Sequence, residues 1–217
     1  MTCRMLCLPI VLLFPLPVTV QGADQQQPSR NRGIVVLADS PAVHKELKLM
    51  ERQVADVNNA VTEARQQLQK ARQLSSPSQR REKQSDATRA LRNVLARTLN
   101  EEQNKRLFQI EIQWTSGAWM LLRQELRPVL ELSKETRAAI RDLAFKSRDD
   151  TEVLRAQLKP ASRKETQQKI RKLLSESRAA AVQLLTPAQK QKWEAAKGVE
   201  FRLPAVKKKQ PQQRTAS

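Results

Sequence analysis

The sequence is poor in the residues on which many catalytic and metal sites depend. In 217 residues it holds no tyrosine, one histidine, two cysteines and four glycines. Zinc and copper centres need clustered His, Cys or carboxylate ligands, whereas His44 stands alone and is expected to be an exposed residue of a helix. A catalytic triad would need a partner for this histidine, and four glycines provide no phosphate-cradling loop. We therefore expect no enzyme activity, no cofactor and no bound metal. The acidic stretch 149–152 is interpreted as a solvated face, with loose cation binding as the alternative.

Aromatic and β-branched clusters are also scarce, which disfavours sheet structure. Only 3% of the residues are aromatic, and few runs have the composition of a strand. Alanine, leucine, glutamine, lysine, arginine and glutamate dominate, and these residues have high helix propensity. The sequence predicts an all-α fold. Trp114, Trp119 and Trp193 are expected to pack in its core, with stacking on a ligand as the alternative.

Both cysteines lie in a first segment that has the features of a secretory signal peptide. Cys3 and Cys7 stand beside a lone Arg4, and the apolar run from residue 5 to residue 20 is followed by Val-Gln-Gly. The run is short for a membrane span and contains three prolines. We expect residues 1–22 to be removed and the protein to be periplasmic or secreted, with an uncleaved N-terminal anchor as the alternative. The mature chain would then contain no thiol and no disulfide.

Acidic residues are outnumbered, and the excess of positive charge is uneven along the chain. The formal net charge is +18, and residues 132–203 hold 17 basic and 9 acidic side chains, whereas residues 101–131 hold 4 and 5. Such an excess indicates anionic partners. Outside the cytoplasm these are lipid head groups, acidic polysaccharide or acidic stretches of unfolded protein, and nucleic acid is not expected. The alternative is a basic surface that only keeps the protein soluble.

The rest of the chain divides by composition into four parts. Residues 23–40 are predicted to be a flexible lead, in which the apolar run 34–37 is either an extended strap or a loop. Residues 41–74 are expected to form one long helix. Residues 80–203 are expected to form packed helical hairpins, and residues 204–217 a disordered basic tail.

The helix predicted over 41–74 carries a coiled-coil pattern. Its apolar residues follow one another at alternating intervals of four and three, which is the seam of a coiled coil. So narrow a stripe needs a partner helix, either from this chain or from a second copy. Among protein partners we therefore expect a homo-oligomer formed through the seam at 43–71. The seam residues are Val43, Leu47, Met50, Val54, Val57, Val61, Ala64, Leu68 and Ala71.

One short pattern occurs three times and predicts three helix starts. Each copy has a leucine followed by Asn, Ser or Thr, and two copies have Gln three positions later, where a capping box places Glu or Gln. A large apolar residue comes seven positions after each cap, two turns into the helix: Leu107, Ile140 or Trp193. The motif residues are Leu99, Asn100 and Gln103 in the first copy, Leu132 and Ser133 in the second, and Leu185, Thr186 and Gln189 in the third.

These copies resemble the LTxxQ motif of Spy/CpxP-type envelope proteins. The stretch LTPAQ at 185–189 matches the motif, LNEEQ at 99–103 is a near match, and LSKET at 132–136 departs from it at its last position. The chain is also similar to secreted relatives of that family that repeat the motif and end in a stretch corresponding here to Lys192, Trp193, Gly198 and Phe201. The resemblance covers roughly residues 90–203 and not the long helix before them.

The resemblance implies bent helical hairpins that dimerise into a shallow cradle. It also implies a non-enzymatic protein that binds unfolded clients or an envelope stress partner without ATP. The alternatives are a structural, oligomerising envelope scaffold and a binder of anionic polymers or membrane surfaces. The basic excess would suit a cationic cradle, although the same side chains could simply keep the helices soluble. The candidate basic face consists of Arg137, Arg141, Arg148, Arg155, Lys164 and Arg171.

Overall fold

The computed structural model describes residues 33–158 and 162–203, and all regular structure in these residues is helical. The all-α prediction is confirmed. The expected signal peptide and basic tail lie outside the described residues. Within the described ranges, no helix combines the length and the apolar character needed to cross a bilayer. The α-helices are α1 (Gly33–Ala38), α2 (Pro41–Glu46), α3 (Glu51–Gln73), α4 (Pro77–Thr98), α5 (Glu101–Trp114), α6 (Arg127–Leu130), α7 (Lys134–Ala156), α8 (Arg163–Gln183) and α9 (Pro187–Lys197), and 3-10 turns span Ala118–Leu122 and Gln124–Leu126.

The prediction of a flexible lead through residue 40 is wrong at its C-terminal end. The apolar run that could not be assigned from the sequence is helix α1, in which Ile34, Val35 and Leu37 are buried. This helix contacts α3, α4 and α5. Removing these side chains from water stabilises the docked position by about 1.5–3 kcal/mol for each large one. The short run is therefore part of the core.

The prediction of one helix over 41–74 is also wrong. Helix α2 ends at Glu46 and α3 begins at Glu51, because the chain turns between them with Lys48 in the left-handed region at φ 50°. The heptad pattern continues through this break, so periodicity alone does not reveal it. Met50, a predicted seam residue, is 68% exposed. His44 is half-buried rather than exposed, and its Nε2 lies 2.6 Å from the Ala38 carbonyl oxygen.

The partner of the seam is α4 of the same chain. Helices α3 and α4 form a hairpin joined by residues 74–76, and they make the most extensive helix–helix contact in the described residues. A homo-oligomer through 43–71 stays a prediction, but most of the seam is already covered within one chain. The buried apolar residues of this hairpin are Val57, Ala60, Val61, Ala64, Leu68 and Ala71 on α3, and Ala87, Leu91 and Leu95 on α4.

Two apolar cores meet at α5. The first core contains α1 to α4 together with Leu107, Ile110 and Trp114. The second contains Ile112 with the 118–122 turn and residues of α6 to α9. Helix α5 is thus buried on more than one side, as its wide apolar face indicates. The boundary expected between residues 74 and 80 instead falls inside the α3–α4 hairpin, since α4 belongs to the first core.

Candidate functional site

The first and third copies of the repeated motif form reciprocal capping boxes. Asn100 Oδ1 accepts a hydrogen bond from the Gln103 N–H at 2.8 Å, and Gln103 Oε1 accepts one from the Asn100 N–H at 3.0 Å. Thr186 Oγ1 accepts from the Gln189 N–H at 3.2 Å, and Gln189 Oε1 accepts from the Thr186 N–H at 3.0 Å. Both pairs satisfy backbone donors that a helix start would otherwise leave without partners.

The second copy makes only half of this arrangement. Ser133 Oγ accepts from the Thr136 N–H at 3.1 Å. Threonine stands where the other copies have glutamine, and no capping box forms. All three copies nevertheless start a helix, as predicted. The leucine before each cap and the apolar residue seven positions after it are buried in every copy: Leu99, Leu132, Leu185, Leu107, Ile140 and Trp193.

The motif residues therefore build the scaffold. Gln103 has a further part that sequence reasoning missed, because its Nε2 donates to the Leu47 carbonyl oxygen at 3.1 Å. Gln53 Nε2 in turn donates to Gln103 Oε1 at 2.9 Å. These bonds connect α5 to the turn between α2 and α3, more than 40 residues away along the chain. The polar atoms of the motif are occupied by such local and long-range contacts.

The structure places four of the six candidate basic residues along one helix. Arg137, Arg141, Arg148 and Arg155 are exposed on α7. Their spacing of four, seven and seven puts them along one side of the buried stripe of this helix. On α8, Lys164 is exposed and Arg171 is half-buried. The buried stripe of α7 consists of Ile140, Ala144, Ser147 and Thr151.

An exposed aromatic side chain lies among these arginines. Phe145 is 37% exposed, and its ring meets the Trp119 ring edge to face, with the centroids 5.0 Å apart. The Arg148 guanidinium carbon lies 4.8 Å from the Phe145 centroid, and Arg148 also pairs with Asp149 at 2.8 Å. We call Trp119, Phe145 and Arg148 the Phe145 patch. Trp119 was expected in the core but is half-buried and packs against the edge of the second core.

Other apolar side chains are exposed nearby in sequence. Of the seven large hydrophobic residues that are exposed in the described ranges, four lie between residues 145 and 184. Exposed apolar surface is thus concentrated in the part of the molecule that also carries the basic side chains. The four are Phe145, Val153, Leu158 and Leu184.

A buried ion pair joins the two cores. Glu111 Oε2 accepts from Arg92 Nη1 at 2.9 Å, and Glu111 Oε1 accepts from Arg123 Nη1 at 3.2 Å. Burial opposes the charge of Arg123, but its hydrogen bonds and ion pairs with Glu125 and Glu111 outweigh burial and raise its pKa. Because each of these charges already has a partner, this cluster is a structural link. The only sign of this cluster in the sequence is Glu111, an acidic residue within an apolar segment.

A cleft lies where the chain returns to α5 after α9. Its volume is about 470 Å³, and its lining includes Arg178, Trp114 and Phe201. Arg178 Nη1 donates to the Thr115 carbonyl oxygen at 3.0 Å, and its guanidinium carbon lies 5.1 Å from the centroid of the Trp193 ring. Burial lowers the pKa of Arg178, and the negative charge of a nearby glutamate offsets this only in part. The cleft therefore holds a cation that is poorly compensated.

The segment that closes this cleft is held by Gln113. Its Nε2 donates to the carbonyl oxygens of Lys197 at 2.6 Å and Val199 at 2.8 Å, and its Oε1 accepts from the Phe201 N–H at 2.7 Å. Gly198 turns the chain at φ 63°, and a Cβ atom there would lie 2.4 Å from the side chain of Gln109. Gly198 is thus needed to turn the chain here, and Phe201 forms part of the cleft wall.

In the described part of the chain, no three His, Cys, Asp or Glu side chains come together where they could hold a metal ion. Comparison with protein-family models, with curated proteins and with solved structures found no match. The resemblance to Spy/CpxP-type proteins therefore rests on the motif residues, and the functions that it implies are proposals.

Proposed function

We propose that the protein is a non-enzymatic protein of the cell envelope that binds unfolded or partner proteins, as a chaperone-like or stress-linked adaptor. The observation that carries this proposal is the Phe145 patch, where an exposed aromatic ring and a guanidinium group are in contact. An unfolded chain offers both apolar and acidic side chains, and the patch can bind both kinds.

Two physical effects support this choice. Covering exposed apolar area contributes roughly 25 cal/mol for each Å² removed from water. Residues 134–184 carry 13 basic and 7 acidic side chains, which favours the approach of acidic segments. The Arg148 guanidinium lies over the Phe145 ring and pairs with Asp149 at the surface, and such an exposed ion pair is weak enough to be exchanged for an acidic side chain of a client. Together these effects suit weak binding of many sequences.

The patch lies on a long helix and at the edge of the second core. Phe145 and Arg148 lie within α7, a helix of 23 residues whose N-cap residue is Ser133. Trp119 packs against the second core. Binding groups on helices are positioned more precisely than groups on loops. The helix-start motif would thus serve function indirectly, by fixing where the patch lies.

An aggregation assay tests this proposal. Residues 23–217, in several-fold excess, should suppress light scattering from a reduced or thermally unfolded client. The double variant Phe145→Ser with Arg148→Gln should lose most of this suppression, since both the apolar and the cationic contact are removed. The matched control is Met50→Ser, which removes an exposed apolar side chain between α2 and α3, far from Phe145 along the chain. Undiminished suppression by the double variant, or none by the wild type, would contradict the proposal.

A second candidate function is binding of an anionic polymer or membrane surface. It is favoured by the row of Arg137, Arg141, Arg148 and Arg155 along one side of α7. Charge-driven binding weakens as salt is added, because the Debye length falls to about 8 Å at physiological ionic strength. The protein should then dissociate from heparin or from anionic vesicles as the salt concentration is raised from low to moderate. Binding that is independent of salt would exclude this candidate.

A third candidate is a structural scaffold that assembles into a homo-oligomer. Because most of the 43–71 seam is covered by α4, such an assembly would have to use what the seam leaves exposed, including Met50. Light scattering from residues 23–217 would show a mass above one chain that falls in the Met50→Ser variant. A single-chain mass at high protein concentration would exclude the scaffold.

A further inference from the structure

Within residues 33–158 and 162–203, no carboxylate forms an ion pair with Arg178, whose positive charge lies at the cleft. An arginine has five N–H donors, and the hydrogen bond that the structure gives Arg178 goes to a carbonyl oxygen, that of Thr115. The acidic side chains at the cleft are engaged elsewhere, since Glu194 pairs with Lys197, and Glu200 accepts from Arg202 Nε at 2.9 Å. These two pairs cancel, which leaves the charge of Arg178.

The residues outside the described ranges are poor in acidic side chains. Residues 1–32, 159–161 and 204–217 contain a single acidic side chain, Asp24. Burying a guanidinium without a charged partner is costly, and the chain retains this one beside an open cleft. The arrangement is that of a site prepared for an anion from outside.

The form of the site indicates which anion. The guanidinium carbon of Arg178 lies 5.1 Å from the centroid of the Trp193 ring. The planar fork of an arginine matches the two oxygens of a carboxylate. Trp114 and Phe201 line the same cleft. A ligand that carries an apolar group next to its carboxylate can therefore contact both the cation and the aromatic rings.

We propose that this cleft binds one carboxylate group borne on an apolar or aromatic moiety, with Arg178 as its charged partner. The site is separate from the Phe145 patch and does not depend on the function proposed for that patch. Lys197 and Arg202 stand beside the cleft as paired charges. Glu194 also lines the cleft, so its negative charge opposes an anionic ligand.

The three tryptophans allow a direct test by NMR. In ¹⁵N-labelled residues 23–217, the indole N–H signals of Trp114 and Trp193 report on the cleft, and that of Trp119 reports on the Phe145 patch. The probe is 3-phenylpropionate, and we expect saturable shifts of the first two signals with little change in the third. The neutral 3-phenylpropanamide should bind at least about tenfold more weakly, because it lacks the charge that pairs with Arg178. Inorganic phosphate should also bind at least about tenfold more weakly, because it has no apolar group to contact the aromatic rings.

Three variants distinguish a specific site from general attraction to a basic protein. Arg178→Gln should abolish the shifts, whereas Arg148→Gln, which removes the same charge from the Phe145 patch, should leave them unchanged. Glu194→Gln should tighten binding a few-fold. This variant still tests the site if Arg178→Gln does not fold. Equal binding of the amide or of phosphate, a dominant shift of Trp119, or an unchanged affinity in Glu194→Gln would each overturn the proposal.

Discussion

The two long hairpins of this protein are built differently. Where α3 and α4 meet, the buried side chains are almost all apolar, including Val57, Val61 and Leu91. Where α7 and α8 meet, away from the second core, the buried side chains are hydroxyls. These are Ser147, Thr151, Thr166 and Ser177.

Two of these four hydroxyls are satisfied within their own helix. Thr151 Oγ1 donates to the Ser147 carbonyl oxygen at 2.7 Å, and Ser147 Oγ donates to the Ala144 carbonyl oxygen at 3.1 Å. Such bonds remove the penalty of burial, but they add little net stability. Small hydroxyl residues let helices approach closely without supplying much apolar area. The α7–α8 hairpin is therefore held less strongly than the α3–α4 hairpin.

The two hairpins can therefore have different roles in the protein. The regions of lowest local stability are the ones that open first and are commonly used for binding. The exposed side chains Phe145, Val153 and Leu158 lie on or just beyond α7, in the more weakly held hairpin. The well-packed α3–α4 hairpin would then give the chain its stability, and the α7–α8 hairpin its binding surface.

Leu91→Ala tests the first half of this comparison and should have the largest effect. Leu91 is 1% exposed in the α3–α4 hairpin, and truncating a buried leucine costs about 2–5 kcal/mol of the free energy of unfolding. Thr166→Ala in the α7–α8 hairpin should cost less than about 1.5 kcal/mol. Urea unfolding followed by circular dichroism measures both. Equal losses would remove the distinction between the hairpins.

Glu111→Gln tests the link between the two regions and should have the second largest effect. Its carboxylate is buried between Arg92 and Arg123, and breaking a buried ion pair costs about 3–5 kcal/mol. Because both arginines keep some contact with water, we expect about 1–3 kcal/mol here. The control is Glu125→Gln, whose side chain is 48% exposed and also pairs with Arg123. A smaller loss for Glu111→Gln than for the control would contradict the role given to Glu111.

The helix caps allow a third comparison, with effects near 1 kcal/mol. Replacing an N-cap residue by alanine costs about 0.5–2 kcal/mol. Asn100→Ala breaks a complete capping box at the start of α5, whereas Ser133→Ala removes an N-cap that has no capping box at the start of α7. The first variant should lower the urea midpoint more than the second. The reverse order would show that the box adds nothing to the cap.

Local patterns predicted the helix starts, and long-range contacts limited the rest. A cap joins residues three apart, so Asn100, Ser133 and Thr186 could be read directly from the sequence. The break between α2 and α3 could not, because the apolar period runs through it. That turn depends on the left-handed Lys48 and on contacts of Gln53 with Thr98 and Gln103. Neither the left-handed residue nor these long-range contacts produce a periodic pattern in the sequence.

The same limit applies to the candidate site. The row of arginines on α7 follows from helical spacing alone, and it was predicted. The contact of Phe145 with Trp119 joins residues 26 positions apart, and the Arg178 cleft joins residues of α5, α8 and the chain after α9. Sequence reasoning places such residues on helices but cannot bring the helices together. The C-terminal Trp, Gly and Phe were noticed as a motif, yet not as the frame of a cleft.

The pH dependence of stability gives the smallest predicted effect, and it tests the ion pairs at the junction between the two cores. Burial raises the pKa of Glu125, but its hydrogen bond and charge contact with Arg123 outweigh burial, and the folded pKa lies below its ordinary value of 4.5. The unfolded chain therefore takes up the proton first as pH falls. The stabilisation is complete above about pH 4.5 and is lost as pH falls through the folded pKa. Since Glu125 is half exposed, the loss should be under about 1 kcal/mol. The urea midpoint of Glu125→Gln should therefore fall less between pH 6 and pH 3 than that of the wild type. Parallel pH profiles for the two proteins would mean that this carboxylate adds nothing to the junction.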